Sequence, residues 1–165
     1  MTAAKKRFLV FGLMALAILL VAVLAPVIAT HDPNNSVLAD AVQSPSGEHW
    51  FGTDKMGRDL FSRVIYGTRT SILSTMVLVL SILFVGGTLG IVAGYVGGMV
   101  ETVIMRVADM MVSFPGMALA IALAGMLGGS ITSAILAIMA VSWTKYARLA
   151  RSLVLKVKHQ DYVLA

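Results

Sequence analysis

The chain has 165 residues, 58% of them hydrophobic and only 13% charged, with a mean hydropathy of +0.89. An average soluble domain carries about 25% charge, so this composition excludes one. Thirteen Lys and Arg against eight Asp and Glu give a net charge of +5, but the cations lie between long apolar runs rather than on one polar face, which excludes a nucleic-acid surface. There is no cysteine, hence no disulfide, thiolate metal site or Cys nucleophile.

The first element is a charge-free stretch from Phe8 to Ala29, broken only by Pro26 and preceded by Lys5, Lys6 and Arg7. Its length suits the roughly 20 residues a helix needs to cross about 30 Å of hydrocarbon. It exceeds a signal-peptide core and further spans follow, so it is read as an uncleaved membrane helix. His31-Asp32-Pro33-Asn34-Asn35 and Ser44-Pro45-Ser46-Gly47 then mark an irregular solvated loop. His31 and His49 stand near acidic residues, but their spacing matches no ligand motif and they read as loop histidines, with no metal. Asp54 is expected to cap an amphipathic helix with Leu60, Phe61, Val64 and Ile65 on one face. Arg58, Asp59, Ser62, Arg63 and Tyr66 fall opposite, with Asp59 and Arg63 as an i,i+4 pair. This helix is expected to lie on the outer membrane surface and lead into the second span, or to serve as a docking surface.

Thr70 to Val100 is the second charge-free run, ending near Gly97 and Gly98. Within it Gly86, Gly90, Gly94 and Gly98 recur every four residues, which predicts a glycine groove for close helix packing. Met110 to Thr144 is too long for one helix, and Gly128-Gly129-Ser130 divides it into a hairpin of two spans, the second relying on Lys145 to snorkel. Arg106 and Asp109 are expected to pair with each other, and Phe114-Pro115-Gly116 to kink the third span, a weak pointer to a translocation path. No span carries a chain of acidic or histidine residues, which disfavours a proton-coupled pump. From Tyr146 to Lys158 the helical pattern continues beyond the apolar stretch.

Four spans return both termini to one side. That side then holds nine cations (Lys5, Lys6, Arg7, Arg106, Lys145, Arg148, Arg151, Lys156, Lys158) against four (Lys55, Arg58, Arg63, Arg69) on the other, so both termini are expected to be cytoplasmic. The expected fold is all-α, a polytopic bundle with four transmembrane helices. It divides into 1–29 (tail and first span), 30–69 (extracytoplasmic loop) and 70–165 (three spans and a cytoplasmic segment). No Gly-x-Ser-x-Gly elbow and no Gly-Lys dipeptide occur, so neither a serine hydrolase nor a P-loop ATPase is legible here, and no enzyme is expected.

Several motifs together resemble one family. Gly52-Thr53-Asp54, Gly57-Arg58-Asp59, Ser62-Arg63, Tyr66-Gly67 and Arg69-x-Ser71 are similar to the segment before the second span in the "C" permease subunit of peptide and nickel ABC importers. Arg106-x-x-Asp109 with Phe114-Pro115 resembles the start of that family's third span. Tyr146-Ala147-Arg148-x-x-Arg151 and Asp161-Tyr162-Val163-x-Ala165 resemble the approach to its EAA loop, the cytoplasmic coupling helix. The resemblance implies an inner-membrane permease of a bacterium or archaeon that imports nickel or di- and oligopeptides and has no cofactor of its own. It implies a second permease, two cytoplasmic ATPases that bind the ATP, and an extracytoplasmic solute-binding protein as partners. It also implies that Asp161, Tyr162, Val163 and Ala165 begin the ATPase contact, and that the family pattern continues for two more spans past the point where this sequence stops. A small non-transporting scaffold assembled through the glycine face is the alternative reading.

Overall fold

The computed structural model describes residues 3–158, as five α-helices and one short 3-10 turn. In chain order these are α1 (Ala3–Ile28), the 3-10 turn Leu38–Asp40, α2 (Leu60–Val96), α3 (Gly98–Ser113), α4 (Gly116–Met126) and α5 (Ile131–Lys158). The fold is all-α, and the helices are those of a membrane bundle. α1 from Ala4 to Ile28 and α2 are each long and apolar enough to cross a membrane, and α3 with α4 qualifies as one bent pair. α5 does not qualify, because its apolar run from Ile131 to Thr144 is only about 21 Å long at 1.5 Å per residue before Lys145, Arg148 and Arg151 follow. The four expected spans therefore resolve into two continuous helices of membrane length, one bent pair and one helix that is half apolar.

Two compact units divide the chain, one up to Leu73 and one from Ser74, so the boundary falls within α2. In the first, the amphipathic helix expected before the second span is no separate element. It is the opening of α2, which runs unbroken for 37 residues, about 55 Å. Its faces also do not divide as the amphipathic expectation has them. Asp59 and Ser62 are buried, while Val64 is 55% exposed, because the loop supplies hydrogen-bond partners rather than apolar ones. The cap likewise moves: Asp59, not Asp54, accepts the Ser62 N–H at 2.7 Å and closes the first turn of α2.

In the second unit α2 stops at Val96, and the positive φ of Gly97 (72°) and Gly98 (56°) turns the chain into α3. α3 and α4 meet at Phe114–Pro115 with a bend of 91°, far sharper than the kink expected of a single third span. The Pro115 ring cannot donate to the ladder, and Phe114 before it takes an extended ψ of 148°. Gly128 and Gly129, at positive φ, make the expected turn into α5, and the Ser130 hydroxyl caps α5 by accepting the Ser133 N–H at 3.0 Å.

The core of this unit is narrow: Ala108, Trp143 and Ala147, flanked by Val85, Leu89, Ile104 and Met105. Gly86, Gly90 and Gly94 are what let α2 come this close to α5. A Cβ at Gly86 would stand 2.5 Å from the Trp143 carbonyl oxygen, one at Gly90 would overlap the Ala147 carbonyl, and one at Gly94 would stand 2.9 Å from Val154 Cβ. Gly98 does not belong to this face; it opens α3, and nothing lies within 4 Å of where its Cβ would be. Gly87, one residue off the stripe, also faces open space. Gly90→Leu should therefore destabilise the folded chain in detergent by about 3 kcal/mol or more, whereas Gly87→Ala should leave it unchanged or raise it by about 0.5–1 kcal/mol through helix propensity. Equal thermal midpoints for the two variants would remove the close-packing account.

Candidate functional site

Two polar constellations stand out against an otherwise apolar molecule, one in each unit. In the first unit the loop folds on the start of α2 through its glycines. Gly52 and Gly57 both sit at φ +72°, and a Cβ on either would overlap a backbone carbonyl, that of Gln43 or of Val37. Between them the Thr53 hydroxyl donates to the Asp40 carbonyl and accepts the Gln43 N–H at 2.8 Å, and the Asp54 and Arg58 backbones pair at 3.0 Å. Asp54 closes this turn rather than a helix: its Oδ1 accepts the N–H groups of Met56 (2.8 Å) and Arg58 (3.1 Å), and its Oδ2 lies 2.7 Å from an Arg58 Nη2. The Arg58 guanidinium, which outweighs the loss of hydration, and these two N–H groups pull the Asp54 carboxyl down to about 2.

Asp59 is the hub of the loop. It is 2% exposed, and its Oδ1 lies 3.0 Å from His49 Nδ1 and 4.0 Å from His31 Nδ1. Burial pushes this carboxyl up, yet the hydrogen bonds from the Ser62 N–H, the Ser62 hydroxyl and His49, with the charge of His31, leave it below the ordinary carboxylate range. The expected Asp59–Arg63 pair is not made. Arg63 donates to the Pro33 carbonyl at 3.2 Å and lies 3.7 Å from Asp54, while the Asp59 carboxylate is taken up by Ser62 and His49. The Ser62 hydroxyl in turn accepts the His31 N–H at 3.0 Å and ties the end of α1 to the start of α2. Trp50 and Phe51 pack on the Phe61 ring at 4.8 and 5.3 Å between centroids.

In the second unit, α3 and α5 join through two ion pairs. Arg148 donates to Asp109 at 2.7 Å, and Arg151 donates through both Nε, at 2.6 Å, and Nη2 to Glu101. Asp109 thus pairs across the helices and not with Arg106, which stays exposed, because Arg148 approaches from α5 while Arg106 lies along the same helix surface. The two pairs line a cleft of about 510 Å³ together with Met105 and Arg106. Outside this cleft, Lys158 at the end of α5 donates to the Tyr95 carbonyl of α2 at 2.9 Å. A second groove of about 440 Å³ runs beside the bend, lined by Phe114, Met117, Val141, Thr144 and Lys145. Asp161, Tyr162, Val163 and Ala165 lie outside the described residues.

Sequence spacing located the loop glycines and the cations of α5, but it assigned Asp59 and Asp109 to neighbours on their own helix. Neither Glu48 nor Glu101 was assigned a role; Glu101, an acid in the first turn of a helix opened by glycines, is the one a sequence reading could have flagged. Because Asp54 is held low, the stability it supplies is full above the ordinary value near 3.8 and is lost as pH falls toward about 2. The difference in thermal midpoint between the natural chain and Asp54→Ala should accordingly be constant from neutral pH down to about 4 and close as the pH approaches 2. A gap that closed near neutral pH instead would assign the effect to another group.

Comparison with known proteins supplies the frame. Residues 86–165 match the family described as binding-protein-dependent transport system inner membrane component. A probable D,D-dipeptide transport system permease protein of Escherichia coli is 46% identical over 147 residues, 89% of this chain and 49% of the relative. A dipeptide transport system permease protein of Alkalihalophilus pseudofirmus is 36% identical over 98% of the chain and 53% of its own length. A nickel transport system permease protein of Escherichia coli is 40% identical over 91% of the chain and 56% of its own length. The chain spans about half the length of the curated relatives it matches. Residues 86–165 thus match the inner membrane component family of binding-protein-dependent transport systems, and the chain as a whole, a multi-pass membrane protein, is similar over about nine-tenths of its length to peptide and nickel transport permease proteins.

Proposed function

We propose that this chain is the N-terminal part of a permease subunit in an ATP-driven, binding-protein-dependent importer for nickel or for di- and oligopeptides. The observation that carries this reading is the match of residues 86–165 to the inner-membrane family, joined to similarity with permeases of both cargo classes over about nine-tenths of the chain. The same similarity favours a permease over a scaffold that merely assembles through its glycine face. In this reading a second permease completes the pathway, two cytoplasmic ATPases bind and hydrolyse ATP, and a solute-binding protein delivers cargo from outside. The chain itself is no enzyme: hydrolysis belongs to the ATPases, and the permease has two arrangements between which their closure selects.

The parts take roles accordingly. The loop from Thr30 to Arg69 faces the solute-binding protein, and its inward-folded glycines and buried Asp59 give that surface a fixed shape. The groove at the Phe114–Pro115 bend borders the translocation path, since irregular backbone at membrane depth is tolerated where it lines a cavity. The α3–α5 ion pairs hold the cytoplasmic extension of α5, which leads toward the coupling segment that begins at Asp161.

Both termini are cytoplasmic in this arrangement, which the cysteine-free sequence makes simple to test. Single cysteines replacing Ser44 and Ser152 should label from opposite sides of the membrane; reaction of both with an impermeant reagent added outside would overturn the orientation. In a full-length version of the subunit, Asp161→Ala should lower transport and substrate-stimulated ATP hydrolysis without reducing membrane insertion, because a lost N-cap costs about 1 kcal/mol of helix stability. Unchanged transport in that variant would remove Asp161 from the coupling helix.

A further inference from the structure

Two loop positions far apart in sequence, His31 and the neighbouring Glu48 and His49, converge beside Asp59. His31, Glu48 and His49 each present a ligand atom, and these atoms lie within 4.8 Å of one another. We propose that His31, His49 and Glu48 form a binding site for a borderline divalent transition-metal ion of the Ni²⁺ and Zn²⁺ type, held at the loop end of α2 and oriented by Asp59 and Thr30.

The donor set fits this class. Two imidazoles and one carboxylate suit the later first-row divalent ions, and three protein ligands leave a fourth position for water or an incoming group. Both imidazoles are already set for it. His49 Nδ1 lies 3.0 Å from Asp59 Oδ1, and a carboxylate there accepts the Nδ1–H, the tautomer that leaves the Nε2 lone pair for a metal. His31 Nδ1 is engaged in the same way by the Thr30 hydroxyl at 3.0 Å. The ring centroids are 4.7 Å apart and tilted by 37°, which keeps both imidazoles within reach of one ion.

Their backbones are equally fixed. The His31 N–H is bonded to Ser62, while His49 donates its N–H to the Ser46 hydroxyl at 3.0 Å and accepts the Ser46 N–H at 2.8 Å. Ligand atoms around a tetrahedral ion with bonds near 2.0–2.1 Å stand roughly 3.3 Å apart, so closing the site needs a shift of about 1.5 Å or less. Glu48, exposed at the loop surface, has the rotamer freedom to make it. Charge favours the cation too: the Glu48 and Asp59 carboxylates beside the imidazoles present two negative charges to it.

Sequence spacing concealed this set, because residues 31 and 48 are brought together only by the folding of the loop on Ser62 and Asp59. The site is separate from the cargo of the importer proposed above; it predicts metal binding by the loop whichever solute is carried.

The test uses the full chain, purified in detergent without a histidine tag and titrated calorimetrically with Ni²⁺ and, separately, with Zn²⁺. One ion should bind per chain, and X-ray absorption of the Ni²⁺-loaded chain should register two imidazole neighbours. His31→Ala and Glu48→Gln should each weaken binding by about tenfold or more. Glu48→Gln is the decisive variant, since Glu48 lies on the surface outside the Asp59 hydrogen bonds and its replacement leaves the loop folded, with circular dichroism and thermal midpoint unchanged. Replacing His159, the third histidine of the chain, should alter nothing. Absence of saturable binding, or equal affinity in the natural chain, His31→Ala and Glu48→Gln, would overturn the proposal.

Discussion

Backbone contact between α2 and α5 is the constraint on which the second unit depends. At Gly86 and Gly90 the helix surface is bare backbone, and the carbonyl oxygens of Trp143 and Ala147 lie directly over it, with the Arg151 carbonyl 3.1 Å from where a Gly94 Cβ would stand. That approach fixes the height and rotation of α5, and the rest follows from it. Trp143 and Ala147 are carried into the core against Ala108, and Arg148 and Arg151, a turn further on, meet Asp109 and Glu101 on α3. The Arg148 pair is worth little by itself, because both partners are well exposed; such pairs contribute about 0.2–1 kcal/mol. Its value lies in register: it selects one rotation of α5 among the several that a smooth apolar helix face would accept.

The first unit reaches a fixed shape by different means. Its loop has almost no apolar core beyond Trp50, Phe51 and Phe61, and it is ordered by polar groups that satisfy one another. Asp59 caps α2, receives His49 and stands beside His31, so one buried carboxylate organises three segments of chain. Leaving such a group buried and unpartnered costs about 1–3 kcal/mol, more when it is charged. That penalty makes the arrangement all-or-none, since removing any one partner strands another. The glycines at 52 and 57 belong to the same logic: only a residue without Cβ lets the loop backbone come near enough for its carbonyls and amides to pair.

This division explains what the sequence disclosed and what it withheld. Periodic features were legible, because they are written in local spacing: the long apolar runs of α1 and α2, the four-residue rhythm of Gly86, Gly90 and Gly94, and the turn at Gly128 and Gly129. So was the helical continuation of α5 to Lys158. The pairings were not. For Asp59, Asp109 and Arg63 a partner three or four residues away was always available, and each time a distant one won: His49, Arg148 and Pro33. Local pairs on an exposed helix are worth only about 0.2–0.5 kcal/mol, so a tertiary partner with better geometry displaces them readily. The same holds for Gly98, whose place in the four-residue rhythm is overridden by the positive φ at Gly97 that ends α2 one step earlier. The 91° bend exceeds a proline kink because Phe114 leaves the helix altogether, and that choice is made by how α4 packs on α5, where Gly116 meets Val141.

The helices carry their side chains inside out relative to a soluble domain. On α1 Phe8 is 79% and Val27 81% exposed, while the buried positions are Ala22 and Ala25; on α2 Phe84 is 75% exposed, while Gly86, Gly90, Ala93 and Gly94 are buried, with Ile82. In water this would be untenable, but lipid tails solvate Phe and Val as well as a protein core does, so burying them yields little. What remains to hold helices together is close contact between small residues, hydrogen bonds and charges placed near helix ends, and those are the features at the α2–α5 and α3–α5 contacts. Specificity in this chain therefore resides in its smallest side chains and in a few buried polar ones. Most of the large apolar residues, which dominate its composition, face outward and determine that it enters a membrane, while the packing within it rests chiefly on glycine, alanine, Trp143 and four charges.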